Sequence, residues 1–331
     1  MAKKNKYNMK VLITGAGGFI GSHLTELCVE SGCKVKAFVH YNSKNQWGWL
    51  EHSPVLNEIE IICGDIRDYD SVYDALDGCD TVFHLAALIG IPYSYVSPQA
   101  YLKTNIEGTY NILQAARQRE LGNILITSTS ETYGTAQYVP IDENPPMVGQ
   151  SPYSASKISA DQLALSYYHS FDLPVKIVRP FNTYGPRQSA RAIIPTVITQ
   201  ILSGKTNLHL GNLNPTRDLT FVKDTASGFL EISNSQNLNG EITNIGMNDE
   251  ISINHLVTLI ANLLKTEISI VTQDTRVRPE KSEVERLLCD NKKLKSNTSW
   301  KPKYTLDEGL NETIEWLSQN LNYYKPNIYN V

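Results

Sequence analysis

The chain has 331 residues, 41% of them hydrophobic and 19% charged, which excludes a disordered polymer and provides roughly two domains' worth of core. Thirty Lys plus Arg against 34 Asp plus Glu leave a net charge of −4, so no basic face is available for wrapping nucleic acid. No apolar run reaches ~18 residues, so no membrane-spanning helix is expected.

The basic opening MAKKNKYNMK leads into a strand and a Gly-rich turn, not the apolar region of a signal peptide, and residues 1–9 read as a loose tail. Lys10–Thr14 reads as a strand, Phe19–Glu30 as a helix, and Val35–Val39, Ile59–Cys63, Thr81–His84 and Asn123–Thr127 as further strands. Amphipathic helices fit between them, the longest from Pro98 to Arg117. Pro152–Phe171 is another helix and Val175–Val178 another strand. This alternation predicts right-handed βαβ units in a Rossmann-type, doubly wound parallel sheet over 10–180.

Beyond Arg179 the turn-rich RPFNTYGPRQ opens a smaller C-terminal α/β part, 181–331, that is expected to bind substrate. A helix is expected over Ile193–Ser203, strands over Asn207–Leu210 and Asp218–Phe221, and helices from Asp224, over Ser252–Leu264 with Ser252 as N-cap, and over Leu306–Asn320. Residues 223–245 are expected to return to the first domain. Ligands of such sheets lie outside the carboxyl ends of the strands.

The five cysteines, Cys28, Cys33, Cys63, Cys79 and Cys289, form no CxxC and point to a reduced, cytoplasmic compartment. The seven histidines show no ligand spacing, so no metal is expected.

Strand one runs into Thr14-Gly15-Ala16-Gly17-Gly18-Phe19-Ile20-Gly21 and then a helix. Glycines at 15, 18 and 21 permit a tight turn, close backbone approach to a pyrophosphate and close helix–strand packing, which predicts a bound dinucleotide. Strand two ends in Val39-His40-Tyr41-Asn42-Ser43-Lys44, without the acid that holds the ribose hydroxyls of NAD. His40 and Asn42 there lean the expectation toward NADP over NAD.

Tyr153 and Lys157, four residues apart on one helix, face the same way. An ammonium and a positive nicotinamide ring would favour the phenolate, which could take a proton from a sugar hydroxyl while hydride leaves.

TGAGGFIG, GDIRD (64–68), HLAA (84–87), the Asn105 helix, YSASK, RPFNTYGPRQ and TRDLTFVKDTA (216–226) stand in this order along the chain. In this the sequence resembles the extended short-chain dehydrogenase/reductases, specifically their nucleotide-sugar epimerase/dehydratase branch. The resemblance implies that Gly15, Gly18, Phe19, Ile20 and Gly21 hold the cofactor pyrophosphate. Asp65 and Ile66 would meet the adenine, and Leu85, Ala86 and Ala87 would line the path to the nicotinamide. Thr129, Tyr153 and Lys157 would form the hydride-transfer triad, and Asn182, Arg187 and Arg217 would contact the substrate. For Asp65 a helix N-cap is an equal reading, and for Arg217 a surface ion pair with Asp218 is the competing one. A homodimer is implied, packed through helices 98–117 and 152–171.

Fold does not choose among the family's chemistries; the Thr129-Ser130-Glu131 string does more. Family 4-epimerases usually lack the acid at Glu131, which here could remove an acidified C5 proton from a 4-keto sugar. The dTDP-glucose dehydratases have Asp where this chain has Ser130. GDP-mannose dehydratases share Thr-Ser-Glu, as do UDP-glucuronate decarboxylases, the runner-up, which commonly have Arg-Ser in place of Arg217-Asp218. NQWGWL (45–50) and RPEKSEV (278–284) resemble segments of the dehydratases of legionaminic acid biosynthesis; here Arg278 could pair with the diphosphate and Glu283 meet the nucleoside ribose, with a salt bridge between neighbouring charges as the competing account for both. Packing is the expected role of Trp47 and Trp49. The expectation is a 4,6-dehydratase of UDP- or GDP-N-acetylglucosamine, with decarboxylase, 4-epimerase and non-catalytic cofactor binder as alternatives.

Overall fold

Short apolar runs that are buried on both faces pair as a parallel sheet, because helices must cover each side. In the computed structural model, which describes residues 9–273 and 284–328, the runs form β1 (Lys10–Thr14), β2 (Lys34–His40), β3 (Ile59–Gly64), β4 (Thr81–His84), β5 (Asn123–Thr127) and β6 (Val175–Pro180). With the strand Ile242–Ile245 they make a seven-stranded sheet in the order Ile242–Ile245, β6, β5, β4, β1, β2, β3. Every pairing in it is parallel. The period of two in β1 divides the core: Val11 and Ile13 face one layer, with Leu24, Cys28, Phe229 and Ile232, while Leu12 faces Ile112, Leu113 and Ala164 in the other.

The winding reverses between β1 and β4, and a crevice therefore opens at the carboxyl ends of these two neighbours. Helix Phe19–Glu30 starts there. Helix Val222–Asn234 packs beside it, so this late segment and the strand after it rejoin the first sheet.

Two elements depart from the sequence expectation. The helix expected over Pro98–Arg117 is Pro98–Tyr101, a π-helical turn at Leu102–Glu107, and Gly108–Gln118. At its centre Asn105 is buried, its side chain accepting from Leu88 N at 2.9 Å and donating to Leu88 O at 3.0 Å and Ser156 Oγ at 2.9 Å. Helical periodicity does not reveal this wider turn, which ties the loop after β4 to the Tyr153 helix.

The strand expected over Asp218–Phe221 is likewise divided. Thr216–Arg217 pairs with Ile251–Ser252 and Arg286–Leu287, whereas Leu219–Phe221 pairs with Asn182–Tyr184. Asp218 sits at the break, fully buried, accepting from the N–H groups of Met247 (2.7 Å), Asn248 (2.9 Å) and Cys289 (3.1 Å). Burial raises its carboxyl to about 6 against these donors. Arg217 and Asp218 are thus not an exposed charged turn. Ser252 caps the helix Ile253–Leu263 through His255 N, as its position predicts. Among the described residues no helix is long and apolar enough to cross a membrane.

Candidate active site

Helix Phe19–Glu30 begins at the crevice without a side-chain cap and with no acid in its first turn, which leaves its first N–H groups for an anion. Gly15 has φ +69°, and a Cβ there would stand 2.8 Å from Ala86 N. A Cβ on Gly21 would collide with the Gly15 carbonyl oxygen. The turn is therefore shaped to bring backbone against a ligand, and its residues fit a dinucleotide pyrophosphate. Gly15→Ala should cost about 1–3 kcal/mol in backbone strain and abolish cofactor binding. Thermal unfolding and fluorescence titration with NAD check this; unchanged NAD affinity would contradict it.

At the end of β1, Thr14 Oγ1 bonds His84 Nδ1 (2.8 Å) and receives Ala86 N (3.2 Å), fixing the segment expected to line the path to the nicotinamide. His84 is buried, and burial together with the nearby Lys157 lowers it to about 3, so it is neutral.

His40, Asn42, Asp65 and Ile66, expected at the adenine end of a dinucleotide, line the same cleft as the glycine turn. Asp65 accepts from Arg67 N and Arg67 Nε, both at 2.9 Å, and this pairing lowers its pKa. It does not cap the following helix, whose N-cap position is Asp68. Asn42 closes its own loop, accepting from Lys44 N and Gln46 N at 3.1 Å and donating to Gln46 O at 2.6 Å. Its polar atoms are committed there rather than aimed at a 2′-phosphate.

Pro152–Phe171 opens with a Ser151/Ser154 capping box and Pro at the first turn. From that start the helical repeat puts Tyr153, Lys157 and Asp161 on one stripe, all buried. Burial raises the Tyr153 phenol; the Thr129 hydroxyl, donating to it, works the other way, and the Glu131 carboxylate adds to the rise. The chain by itself therefore keeps Tyr153 a phenol, and the expected phenolate depends on Lys157 and the nicotinamide ring acting together. The remaining bias has to arrive with the cofactor's positive ring. Lys157 is lowered to about 8 by burial, with Asp161 opposing the fall. Asp161 itself accepts from Ser128 Oγ (2.6 Å) and pairs with Arg179 Nη2 (2.8 Å), both partners buried.

Thr129, Ser130, Glu131 and Tyr153 line one cleft of about 1130 Å³ with Gly15, Gly18, Phe19, Ile20, Gly21, Leu85, Ala86, Ala87, Asn182 and Arg217. That volume exceeds a single drug-sized ligand and suits two molecules side by side. Asn182 Oδ1 is buried in it with no partner among the described residues, so it is able to accept from a ligand donor. Arg187 is a correction. It has φ +71°, pairs with Glu26 Oε1 at 2.9 Å and does not line the cleft. Arg191, four residues on, lines it instead, with Gln188. Arg278 and Glu283 lie outside the described residues. Trp49 packs edge-on against Trp316 (5.2 Å) and Tyr323 (5.5 Å), which agrees with an anchoring role; Trp47 borders the cleft. Among the described residues no cluster suits a metal ion.

A parallel sheet with a glycine turn at its switch point, and Thr129 and Tyr153 lining the same cleft with Lys157 buried one turn further along the Tyr153 helix, fit a dinucleotide-dependent enzyme. The chain belongs to the NAD-dependent nucleotide-sugar epimerase/dehydratase family of extended short-chain dehydrogenases, matching the model described as GDP-mannose 4,6 dehydratase over residues 12–313. It is 31% identical to a dTDP-glucose 4,6-dehydratase of Streptomyces antibioticus, over 96% of this chain and 95% of that one. A UDP-N-acetyl-alpha-D-glucosaminuronate decarboxylase of Bacillus cytotoxicus is 33% identical, over 94% and 98%. The structure of the UDP-glucuronic acid 4-epimerase of Bacillus cereus, solved with UDP-glucuronic acid and NAD, superposes with a TM-score of 0.85 at 28% identity, over 94% of this chain and 100% of that one. Relatives at this distance span all three chemistries.

Proposed function

We propose that the protein is a 4,6-dehydratase of UDP- or GDP-linked N-acetylglucosamine, of the kind that serves legionaminic acid synthesis, with NAD as a tightly held cofactor. The observation that carries this is Glu131 in the cleft next to Thr129 and Tyr153, at the position the family's epimerases usually leave without an acid. NAD is preferred to the NADP suggested by strand two, because Asn42 is turned into its loop and the epimerase relative binds NAD.

NAD, when bound, would take hydride from C4 and return it to C6 within one turnover. Tyr153, bonded by Thr129, removes the C4 hydroxyl proton. Lys157 holds positive charge beneath the phenol. Glu131 then removes the C5 proton, acidified by the new C4 ketone, and Ser130 stands beside it to relay a proton to the departing C6 hydroxyl. Asn182 and Arg217 orient the sugar and the diphosphate, with Arg278 and Glu283 assigned to the diphosphate and ribose.

Incubation with UDP- and GDP-N-acetylglucosamine should yield a product lighter by one water (~18 Da), with no net reduction of cofactor. Loss of carbon dioxide from a uronic acid substrate would replace this reading with the decarboxylase. A homodimer is proposed as well, since Leu102, Tyr110 and Phe171 stand exposed on the two helical segments expected to form its bundle. Light scattering should give twice the chain mass; a monomer would remove that assignment.

A further inference from the structure

The proposed chemistry makes no use of the two tryptophans of NQWGWL (45–50), the loop that follows β2. This loop lies directly on the phosphate turn. Trp49 N donates to Gly17 O at 3.0 Å, a Cβ on Gly17 would overlap Trp47 O, and one on Gly48 would overlap Gly17 O. Gly48 has φ +65°, which lets the two stretches of backbone pass this closely. Gln46, Trp47 and Gly48 line the cleft beside His40 and Asn42, in the half expected to take the dinucleotide. Trp47 Nε1 is buried with no partner among the described residues, which leaves a donor within that wall. The other side of the loop reaches the C-terminal part. Trp49 meets Trp316 edge-on at 5.2 Å and Tyr323 at 5.5 Å, and the Tyr323 hydroxyl shares a 2.8 Å hydrogen bond with His52 Nε2. The short turn Leu321–Tyr323, which follows helix Leu306–Gln319, thus grips the segment at both Trp49 and His52. Trp316 and Tyr324 belong to the apolar core around Ile194, Val197 and Leu256. The Tyr324 hydroxyl donates to Gln188 O at 2.8 Å, and Gln188 borders the cleft.

We infer that Trp49, Trp316 and Tyr323 form a buckle that holds the loop across the phosphate turn and slows release of the dinucleotide. Trp49 is a positioning residue: it does not itself line the cleft but acts through its neighbours Trp47 and Gly48, which do. Because the loop's backbone rests on Gly17, displacing the loop opens the wall beside the pyrophosphate. Asn42 and the buried Leu50 pin the loop to the first domain, whereas Trp49 and His52 tie it to the C-terminal part. Loss of the buckle therefore frees one side of the loop and leaves its core anchor in place. Edge-on aromatic pairs attract beyond what their buried area supplies, and weakening such contacts changes release more than capture. A cofactor that is reduced and reoxidised in one turnover has to stay bound throughout it, and the buckle serves that need. The inference rests on a dinucleotide in the cleft but not on which sugar chemistry follows.

The test is the rate at which the full chain, loaded with NADH, loses bound-NADH fluorescence on mixing with excess NAD. Trp49→Ala should release NADH about 30-fold faster than the wild type. Tyr323 is half exposed, so Tyr323→Ala spares the fold, and it should release NADH about 5-fold faster. Both rings belong to one contact, so the double variant should be no faster than Trp49→Ala alone. Tyr323→Phe keeps the ring and loses the His52 bond, and its rate should fall between those of the wild type and Tyr323→Ala. Urea unfolding of each variant accompanies the kinetics. Release at the wild-type rate in Tyr323→Ala and Trp49→Ala overturns the inference, whether or not their urea midpoints fall, because the aromatics would then only pack. Effects that multiply in the double variant overturn it as well, since the two rings would be acting separately. Failure of the dehydratase reading shows independently, as absent water loss, because no sugar nucleotide enters this measurement.

Discussion

Glu131→Gln should arrest the enzyme after C4 oxidation. The carboxamide keeps the shape of the side chain but cannot accept the C5 proton, and loss of a positioned general base lowers turnover by roughly 10²–10⁴-fold. Tyr153, Lys157 and Thr129 remain, so the first oxidation should proceed, and reduced nicotinamide should accumulate together with a 4-keto sugar that retains its C6 hydroxyl. Rapid-mixing absorbance and quenched mass spectrometry read both species. Water loss at the wild-type rate would show that Glu131 is not the base. An epimerase would respond differently, because its route needs no C5 deprotonation, and the same variant therefore also separates these two chemistries.

The second large effect is expected away from the substrate. Asp161 and Arg179 form an ion pair 0% and 1% exposed, tied to Ser128 Oγ, next in sequence to Thr129. Asp161→Asn would leave the guanidinium charged and without its counter-ion, with the Tyr133 ring, 4.5 Å from it, as weak compensation. A buried pair broken on one side costs about 3–5 kcal/mol, which urea unfolding would register as a lower midpoint. The substitution also removes the anion that opposes the depression of Lys157 from its ordinary value to about 8. With that support gone the pKa falls further, the ammonium fraction near neutrality shrinks, and the alkaline limb of the pH–rate profile moves to lower pH. His84 does not take over this role, since burial already keeps it neutral. Wild-type stability with an unshifted profile would refute the coupling.

These two predictions differ in how far they could be read from the chain. Glu131 is legible because it belongs to a contiguous string beside a strand end. Asp161 is not: it is one more acid on a helix until Arg179, from a strand 18 residues later, reaches it in the interior. The same contrast runs through the site. Gly15 and Gly21, or Tyr153 and Lys157, lie within one turn or one helix, where local geometry dictates their relation. Arg187 and Arg191 share one irregular loop, and loops have no repeat that says which side chain faces a ligand. The positive φ at Arg187 sends it to Glu26 and leaves the cleft to Arg191.

The sequence by itself determined the sheet strands and the phosphate turn, because apolar runs of strand length and glycines at set spacing leave the backbone few alternatives. It also determined the tyrosine–lysine pair, through the helical repeat. Only the tertiary structure decided the π turn at Leu102–Glu107, the break at Asp218 and the closure of Asn42 on its own loop. It alone distinguished Arg191 from Arg187. Each of these depends on partners distant in the chain or on loop dihedrals, and packing selects among conformations that local sequence leaves nearly equal in energy.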